Sequence, residues 1–420
     1  MSITIERVSA LEILDSRGRP TLQVSVEYNG RQRESAGVPS GASTGSGEAV
    51  ELRDGDPARF GGAGTLTAAA NVTIAINNAL AGRTFVSVKE VDEVLIALDG
   101  TPNKASLGAN AIVGTSMAVA RAFAAAAGLP LWRYLEPDWV SARLPIPHFN
   151  VINGGAHAAN NLDFQEFMLA PLGAPSFTDA VRAGAEVYAS LKKRLSAAGH
   201  STGLGDEGGF APQLDRPDQV LEVLVGAIED AGYTPGTGGV AIALDPAANG
   251  FYADGGYTVA GQRYSSEELI AYYADLVDRF GVWSIEDGLA EDDWDGWVSL
   301  TAQLGDRLQL VGDDIFVTNP AVITKGIELK AANAALIKLN QIGTVTETLE
   351  AMRLCREAGY AAMVSHRSGE TPDSFIADLV VGSGCGEIKA GAPARGERVA
   401  KYNRLLEIAA THRGLPFGLQ

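Results

Sequence analysis

Polar and apolar positions alternate through the start of the chain. Ile3–Leu14, Thr21–Glu27 and Arg31–Val38 alternate or run apolar, the period expected of strands. Tyr28-Asn29-Gly30-Arg31 supplies an Asn-Gly hairpin turn between two of them, so an antiparallel meander is expected. The spacing then changes to a helical repeat in Leu66–Leu80, Val88–Leu98 and Ala109–Ala127. Strands followed by helices predict an α+β layer. The Pro-rich run Leu144-Pro145-Ile146-Pro147 marks a boundary region. We therefore divide the chain into an N-terminal α+β domain, residues 1–138, and a second domain, residues 139–420.

The second domain reads mostly as strand, helix, strand. Ser265-Ser266-Glu267-Glu268 and Thr344-Val345-Thr346-Glu347 are capping boxes ahead of amphipathic helices. Asn319-Pro320 and Thr371-Pro372 each place a cap residue before a proline at the first helical position. Between these helices, short apolar runs are each closed by a charged or polar residue. These are Asp245, Glu286, Asp313, Lys338, His366 and Lys389, at intervals of 41, 27, 25, 28 and 23 residues. An interval in the mid-twenties suits one buried strand plus one helix, the unit of a (β/α) barrel, whose strand ends share a common mouth. Three carboxylates, then two lysines flanking a histidine, are thus expected in one pocket. Any one such carboxylate equally suits a helix cap. Three from successive strands suit Mg²⁺, which takes a few carboxylates plus water and substrate oxygens. A metal site facing cationic groups predicts chemistry on an anionic substrate.

Composition narrows the partners. The chain has 420 residues, 46% hydrophobic and 20% charged, with a net charge of −18. That length suits two domains with sizeable cores. The acidic balance argues against nucleic acid and against an anionic membrane. Metal ions and buried lysines can still reverse the local potential for a small anion. Cys355 and Cys385 read as inert small residues rather than a disulfide framework. Met1–Arg7 has no secretory apolar core, and Gly108–Ala120 is too short to span a bilayer. A cytoplasmic protein is expected.

Longer strings go beyond spacing. They are Asp15-Ser16-Arg17-Gly18, Val38-Pro39-Ser40-Gly41-Ala42-Ser43-Thr44-Gly45, Asn153-Gly154-Gly155-Ala156-His157, Asp163-Phe164-Gln165-Glu166-Phe167 and Gly205-Asp206-Glu207-Gly208-Gly209. Ser284-Ile285-Glu286-Asp287, Val311-Gly312-Asp313-Asp314, Ile337-Lys338-Leu339-Asn340-Gln341, Ser365-His366-Arg367-Ser368-Gly369-Glu370 and Lys389 with Arg398-Val399-Ala400-Lys401 follow. Along essentially its whole length the chain resembles the enolase family. The resemblance implies an α/β fold: a TIM-like barrel of enolase type, beginning with an antiparallel hairpin, behind a smaller α+β domain. It implies a carbon–oxygen lyase of glycolysis and gluconeogenesis, interconverting 2-phosphoglycerate and phosphoenolpyruvate. Two Mg²⁺ ions are implied, one held by Asp245, Glu286 and Asp313, the other joining with substrate and the loop residue Ser43. Lys338 matches the base, Glu207 the acid and Glu166 an assisting carboxylate. Gln165, His157, His366 and Lys389 match positions at the substrate, and Arg367 and Ser368 match phosphate contacts. A cation beside Lys338, namely Lys389, would lower the pKa of the base. A homodimer, or a homo-octamer assembled from dimers, is also implied.

Some positions depart from the family's usual residues: Ala159, Asn249-Gly250, Ala390 and Ala105-Ser106. They leave open a paralogue acting on a related phosphonate or phosphate, such as a carboxyphosphonoenolpyruvate synthase. Racemase and cycloisomerase branches often carry a Lys-x-Lys pair on the second barrel strand, where this chain has Phe164-Gln165-Glu166-Phe167. A silent scaffold protein would tolerate loss of Lys338, Glu207 or a metal carboxylate, and all are present. His148, His200 and His412 match no functional position.

Overall fold

A computed structural model describes residues 2–41, 45–136 and 141–419. Ser43 lies outside the described residues, as does the 138/139 junction. The alternating start of the chain forms β1 (Ile3–Leu14), β2 (Pro20–Tyr28) and β3 (Gln32–Gly37). A short β4 (Thr84–Phe85) extends the sheet to the order β3-β2-β1-β4. β2 runs antiparallel to both β1 and β3. Its turn onto β3 takes three residues rather than two, with Asn29, Gly30 and Arg31 at φ 43°, 84° and 71°.

One face of this sheet is covered by the helix Ala109–Ala127. Its Ala- and Gly-rich composition permits close approach. A Cβ at Gly114 would lie 2.5 Å from a Val24 methyl carbon and 2.7 Å from one of Val38. The helix extends beyond the Gly108–Ala120 stretch and is apolar enough in length and composition to cross a membrane, yet it is mostly buried inside the protein. Cys355 is buried on the helix Val345–Glu357 and Cys385 is half-buried. Burial pushes their thiols up to about 12 and about 11, away from the reactive thiolate.

The strand–helix pattern closes into a barrel. Its members are β5 (Ile146–Asn153), β6 (Glu166–Ala170) and β7 (Ala241–Asp245). After a small antiparallel sheet of β8 (Tyr252–Ala253), β9 (Gly256–Val259) and β10 (Gln262–Tyr264) come β11 (Val282–Glu286) and β12 (Gln309–Gly312). β13 (Ala334–Ile337), β14 (Ala361–Ser365) and β15 (Glu387–Lys389) complete it. The closed order is β11-β12-β13-β14-β15-β5-β6-β7. The inserted β8–β10 sheet is why the interval from Asp245 to Glu286 is longer than the others. As expected, the barrel opens with a hairpin: β6 runs antiparallel to both β5 and β7, and the other pairs are parallel. The reversal brings the start of β6 to the mouth formed by the ends of the other strands.

A polar seam joins the sheet layer to the barrel. Ser116 Oγ accepts from the Val345 amide at 2.9 Å, and Asp92 Oδ2 accepts from the Thr346 amide and hydroxyl at 3.0 and 2.5 Å. Arg121 pairs with Asp373 at 2.6 Å. Burial raises the Asp92 carboxyl to about 6, against hydrogen bonds from Thr346 and Ser116 that lower it. A carboxyl raised in the folded chain stabilises it only while protonated. That contribution is whole below the ordinary value of 3.8 and is lost as pH rises through about 6. Asp92→Asn keeps an acceptor for Thr346 and cannot ionise. Its urea midpoint should therefore gain on wild type as pH rises from about 4 to about 7. A difference that stays constant over that range would contradict the assignment.

Candidate active site

The six residues that close the apolar runs all lie at one mouth of the barrel. Asp245, Glu286 and Lys389 are the last residues of β7, β11 and β15. Asp313, Lys338 and His366 each directly follow β12, β13 and β14. Glu166 joins them from the start of the reversed β6, in register with Asp245 on one side and Asn153 on the other.

Lys389 is the hub. Its ammonium donates to Glu286 Oε1 at 2.7 Å and to Glu166 Oε1 and Asp245 Oδ2 at 3.2 Å each. All four residues are buried. Burial disfavours the ammonium, but Glu166, Glu286 and Asp245 outweigh it and hold Lys389 well above the ordinary lysine value. Lys338 donates to Asp313. Burial and Lys389 lower the pKa of Lys338, as the sequence suggests, but the Asp313 carboxylate more than offsets them and the net shift is upward. The expected lowering of the base is therefore not present in this arrangement, because its nearest neighbour is an anion.

Glu207 comes from an irregular loop rather than a strand. The Phe210 amide bonds the Val151 carbonyl at 2.8 Å and the Asn153 amide bonds the Phe210 carbonyl at 2.9 Å, which docks the loop on β5. A Cβ at Gly205 would sit 2.6 Å from the Asn153 side-chain oxygen, so the approach needs glycine. Glu207 Oε2 accepts from Asn150 Nδ2 at 2.9 Å and lies 3.1 Å from His366 Nε2. His157 Nδ1 stands 3.7 Å from Glu207 and 3.8 Å from Glu166. The two acids are pushed apart. Burial and the Glu207 charge raise Glu166 well above the usual range. Burial also acts to raise Glu207, yet His366, His157 and the donors aimed at it pull it well below. Two like charges facing each other across a buried cavity cannot both persist, so the pair favours one proton, held on Glu166. Burial lowers His366 to about 3 and lowers His157 too, each against the opposing charge of Glu207.

The side bearing Arg367 and Ser368 is equally built. Arg367 makes a two-bond fork to Glu48, 2.9 and 3.0 Å, and donates to Asn340 Oδ1 at 3.0 Å. Ser368 Oγ accepts from Arg17 at 3.3 Å. Gln165 is buried beside Glu166. Arg367, Ser368 and Gln165 share one small cavity, about 20 Å³, with His157, Glu207 and the two lysines. A larger cavity of about 340 Å³ opens at the opposite end of the barrel. It is lined by Gln309, Tyr360 and Glu387 and has none of the converging lysines and carboxylates, so the chemistry belongs to the smaller one.

Three residues act here that strand-end spacing does not reveal. Arg398 is fully buried, faces His366 Nδ1 at 2.6 Å and donates to the Arg367 and Ser368 carbonyls at 2.6 Å each. It therefore shapes the segment that carries Arg367 and Ser368. Asp287 accepts from the Asp313 and Asp314 amides at 2.9 Å each. Glu48 reaches in from the sheet layer. Arg398 and Asp287 stand inside the quoted strings, but nothing in a linear pattern gives their roles.

The donor set fits a divalent cation. One oxygen each of Glu166 and Glu286 is buried without a hydrogen-bond partner among the described residues, which is costly unless a cation or water satisfies it. Among the described residues, Asp313 gathers within 4.8 Å of Asp287 and Asp314, and Glu166 within that distance of Glu207 and His157. Asp245, Glu286 and Asp313 do not close to it as a set. Hard oxygen ligands of this kind suit a hard divalent cation.

Comparison with known proteins agrees with this geometry. The sequence pattern of "Enolase, N-terminal domain" matches residues 5–135, and that of "Enolase, C-terminal TIM barrel domain" matches residues 141–412. Enolase 2 of Methanospirillum hungatei is 55% identical over 411 residues, covering 97% of this chain and 96% of that protein. Barrel, hairpin start, converging charges and these matches together establish that the chain belongs to the enolase family.

Proposed function

We propose that the protein dehydrates 2-phospho-D-glycerate reversibly to phosphoenolpyruvate with Mg²⁺, as a cytoplasmic enzyme of glycolysis and gluconeogenesis. One observation carries the reading: the buried Lys389 and the partly buried Lys338 face three strand-end carboxylates, with a paired acid across the cavity. Asp245, Glu286 and Asp313 would hold the first Mg²⁺, and the loop carrying Ser43 would contribute to a second beside the phosphate. Bound there, the cations supply positive charge where the substrate carboxylate becomes more negative. Family membership supports a homodimer, or a homo-octamer assembled from dimers, and the division at 138/139.

Lys338 takes the proton next to the substrate carboxylate only as a neutral amine. Its own proton, which Asp313 favours here, must therefore leave first, and the electron pair then moves into the substrate carboxylate. Lys389 stays charged, held so by its three carboxylates, and stabilises the anion that develops. Glu207 delivers a proton to the departing hydroxyl, drawn from the one it shares with Glu166. Arg367 and Ser368 hold the phosphate. The presence of every one of these groups, with 55% identity to a protein named enolase, favours this reaction over a substrate-shifted paralogue.

Lys338→Ala should lower phosphoenolpyruvate formation, followed by ultraviolet absorbance, by about 10²–10⁴-fold or more. It should equally abolish exchange of the substrate α-proton with D₂O, followed by NMR. Glu207→Gln should block dehydration while exchange persists, and equal loss of both in this variant would refute the division of acid and base. Chelation should stop turnover by wild type, and added Mg²⁺ should restore it. Glu286→Gln should need far more Mg²⁺ for half-maximal rate, and direct titration with Mn²⁺ by electron paramagnetic resonance should show the same weakening. Folded, Mg²⁺-loaded protein without turnover of 2-phosphoglycerate would reject the proposed substrate.

A further inference from the structure

Glu48 belongs to the sheet layer, not the barrel, yet its side chain is only 8% exposed and ends inside the mouth. Its two oxygens accept from both terminal nitrogens of Arg367, at 2.9 and 3.0 Å. Oε1 also accepts from Gln341 Nε2 at 3.3 Å and from the Gly45 amide at 3.2 Å. The same Gln341 nitrogen donates to Asp313 Oδ1 at 2.8 Å, and the Gln341 carbonyl accepts from the Ala49 amide at 2.8 Å. Thus one carboxylate joins three things: the segment running from residue 45, the guanidinium of Arg367, and the amide that steadies Asp313.

We infer that Glu48 is a positioning residue, which fixes the plane of the Arg367 guanidinium so that it meets a phosphate in one orientation. The inference rests on the reaction proposed above only in taking Arg367 as the phosphate contact. An arginine side chain reaches its partner through several rotatable bonds, and a planar fork recognises an anion only when that plane is set. Asn340 Oδ1 also accepts from Arg367, at 3.0 Å, but such a bond by itself permits rotation about its own axis. A two-bond grip does not.

The opposite role is physically distinct. A carboxylate that merely occupied Arg367 would compete with phosphate, and removing its charge would tighten phosphate binding. A positioning carboxylate gives the reverse sign. Because the phosphate does not react, weaker holding of it should appear in KM more than in kcat.

The test compares wild type, Glu48→Gln and Glu48→Asp, with inorganic phosphate titrated calorimetrically into metal-free protein and with steady-state kinetics on 2-phosphoglycerate. Glu48→Gln should weaken phosphate binding about tenfold and raise KM in step, with kcat changed by less than about threefold. Glu48→Asp retains the charge but is one methylene short, and should fall between the two. Thermal melts separate a folding defect, and if Glu48→Gln does not fold then Glu48→Asp decides alone. Unchanged or tighter phosphate binding, a fall in kcat at constant KM, or wild type that takes up no phosphate would each overturn the inference. Phosphate binding weakened by the variants, in a wild type that does not turn over 2-phosphoglycerate, would reject the reaction and leave the role of Glu48 standing. Normal wild-type turnover with unaltered variants would do the reverse.

Discussion

The site depends on balancing charges that water cannot reach. Glu166, Asp245 and Glu286 end within hydrogen-bonding distance of one ammonium, Lys389, and all are buried. Three carboxylates that close would be strongly unfavourable in a low dielectric without a counter-charge. Lys389 supplies part of it, and among the described residues one oxygen each of Glu166 and Glu286 has no hydrogen-bond partner. The cluster is therefore built for further positive charge. The same imbalance drives Glu166 and Glu207 apart in proton affinity, because a second negative charge across the cavity is disfavoured.

The scaffold serves this cluster from both layers. Barrel strands present one residue each at their ends, while the reversed β6 presents Glu166 from its beginning. The loop bearing Glu207 is added along β5, in a gap that only glycine at position 205 leaves open. From the other layer, Glu48 grips Arg367 and Arg17 reaches Ser368. The mouth is thus roofed by a domain that contributes no barrel strand. The polar seam through Ser116, Asp92 and Arg121 holds that roof in register.

Most of the barrel is legible in the sequence because strand period, caps and chain intervals are local properties. The six run-closing residues fall where their spacing puts them, since a strand must end before its helix begins. The long interval after Asp245 carries no such signal and conceals β8–β10. Arg398 and Glu48 are unreadable for another reason: their roles consist of hydrogen bonds to residues far away in the chain. The direction of the Lys338 shift is misjudged from sequence because it depends on which charge is nearest, Asp313 rather than Lys389. Asn249, one of the departures, proves to bridge Asp314 at 2.8 Å and the Glu291 amide at 2.9 Å. Its place at the rim is thus bonded rather than vacant.

The reversal of β6 also bears on how the barrel is assembled during folding. Parallel neighbours must wait for an intervening helix before they can pair, whereas β5 and β6 are joined only through residues 154–165. Short-range antiparallel pairing carries a smaller loop-closure cost and forms sooner than long-range pairing. The hairpin is accordingly the natural seed of the barrel, with Asn153 set opposite Glu166 from the outset. On loop-closure cost, pairing within the barrel starts beside Glu166.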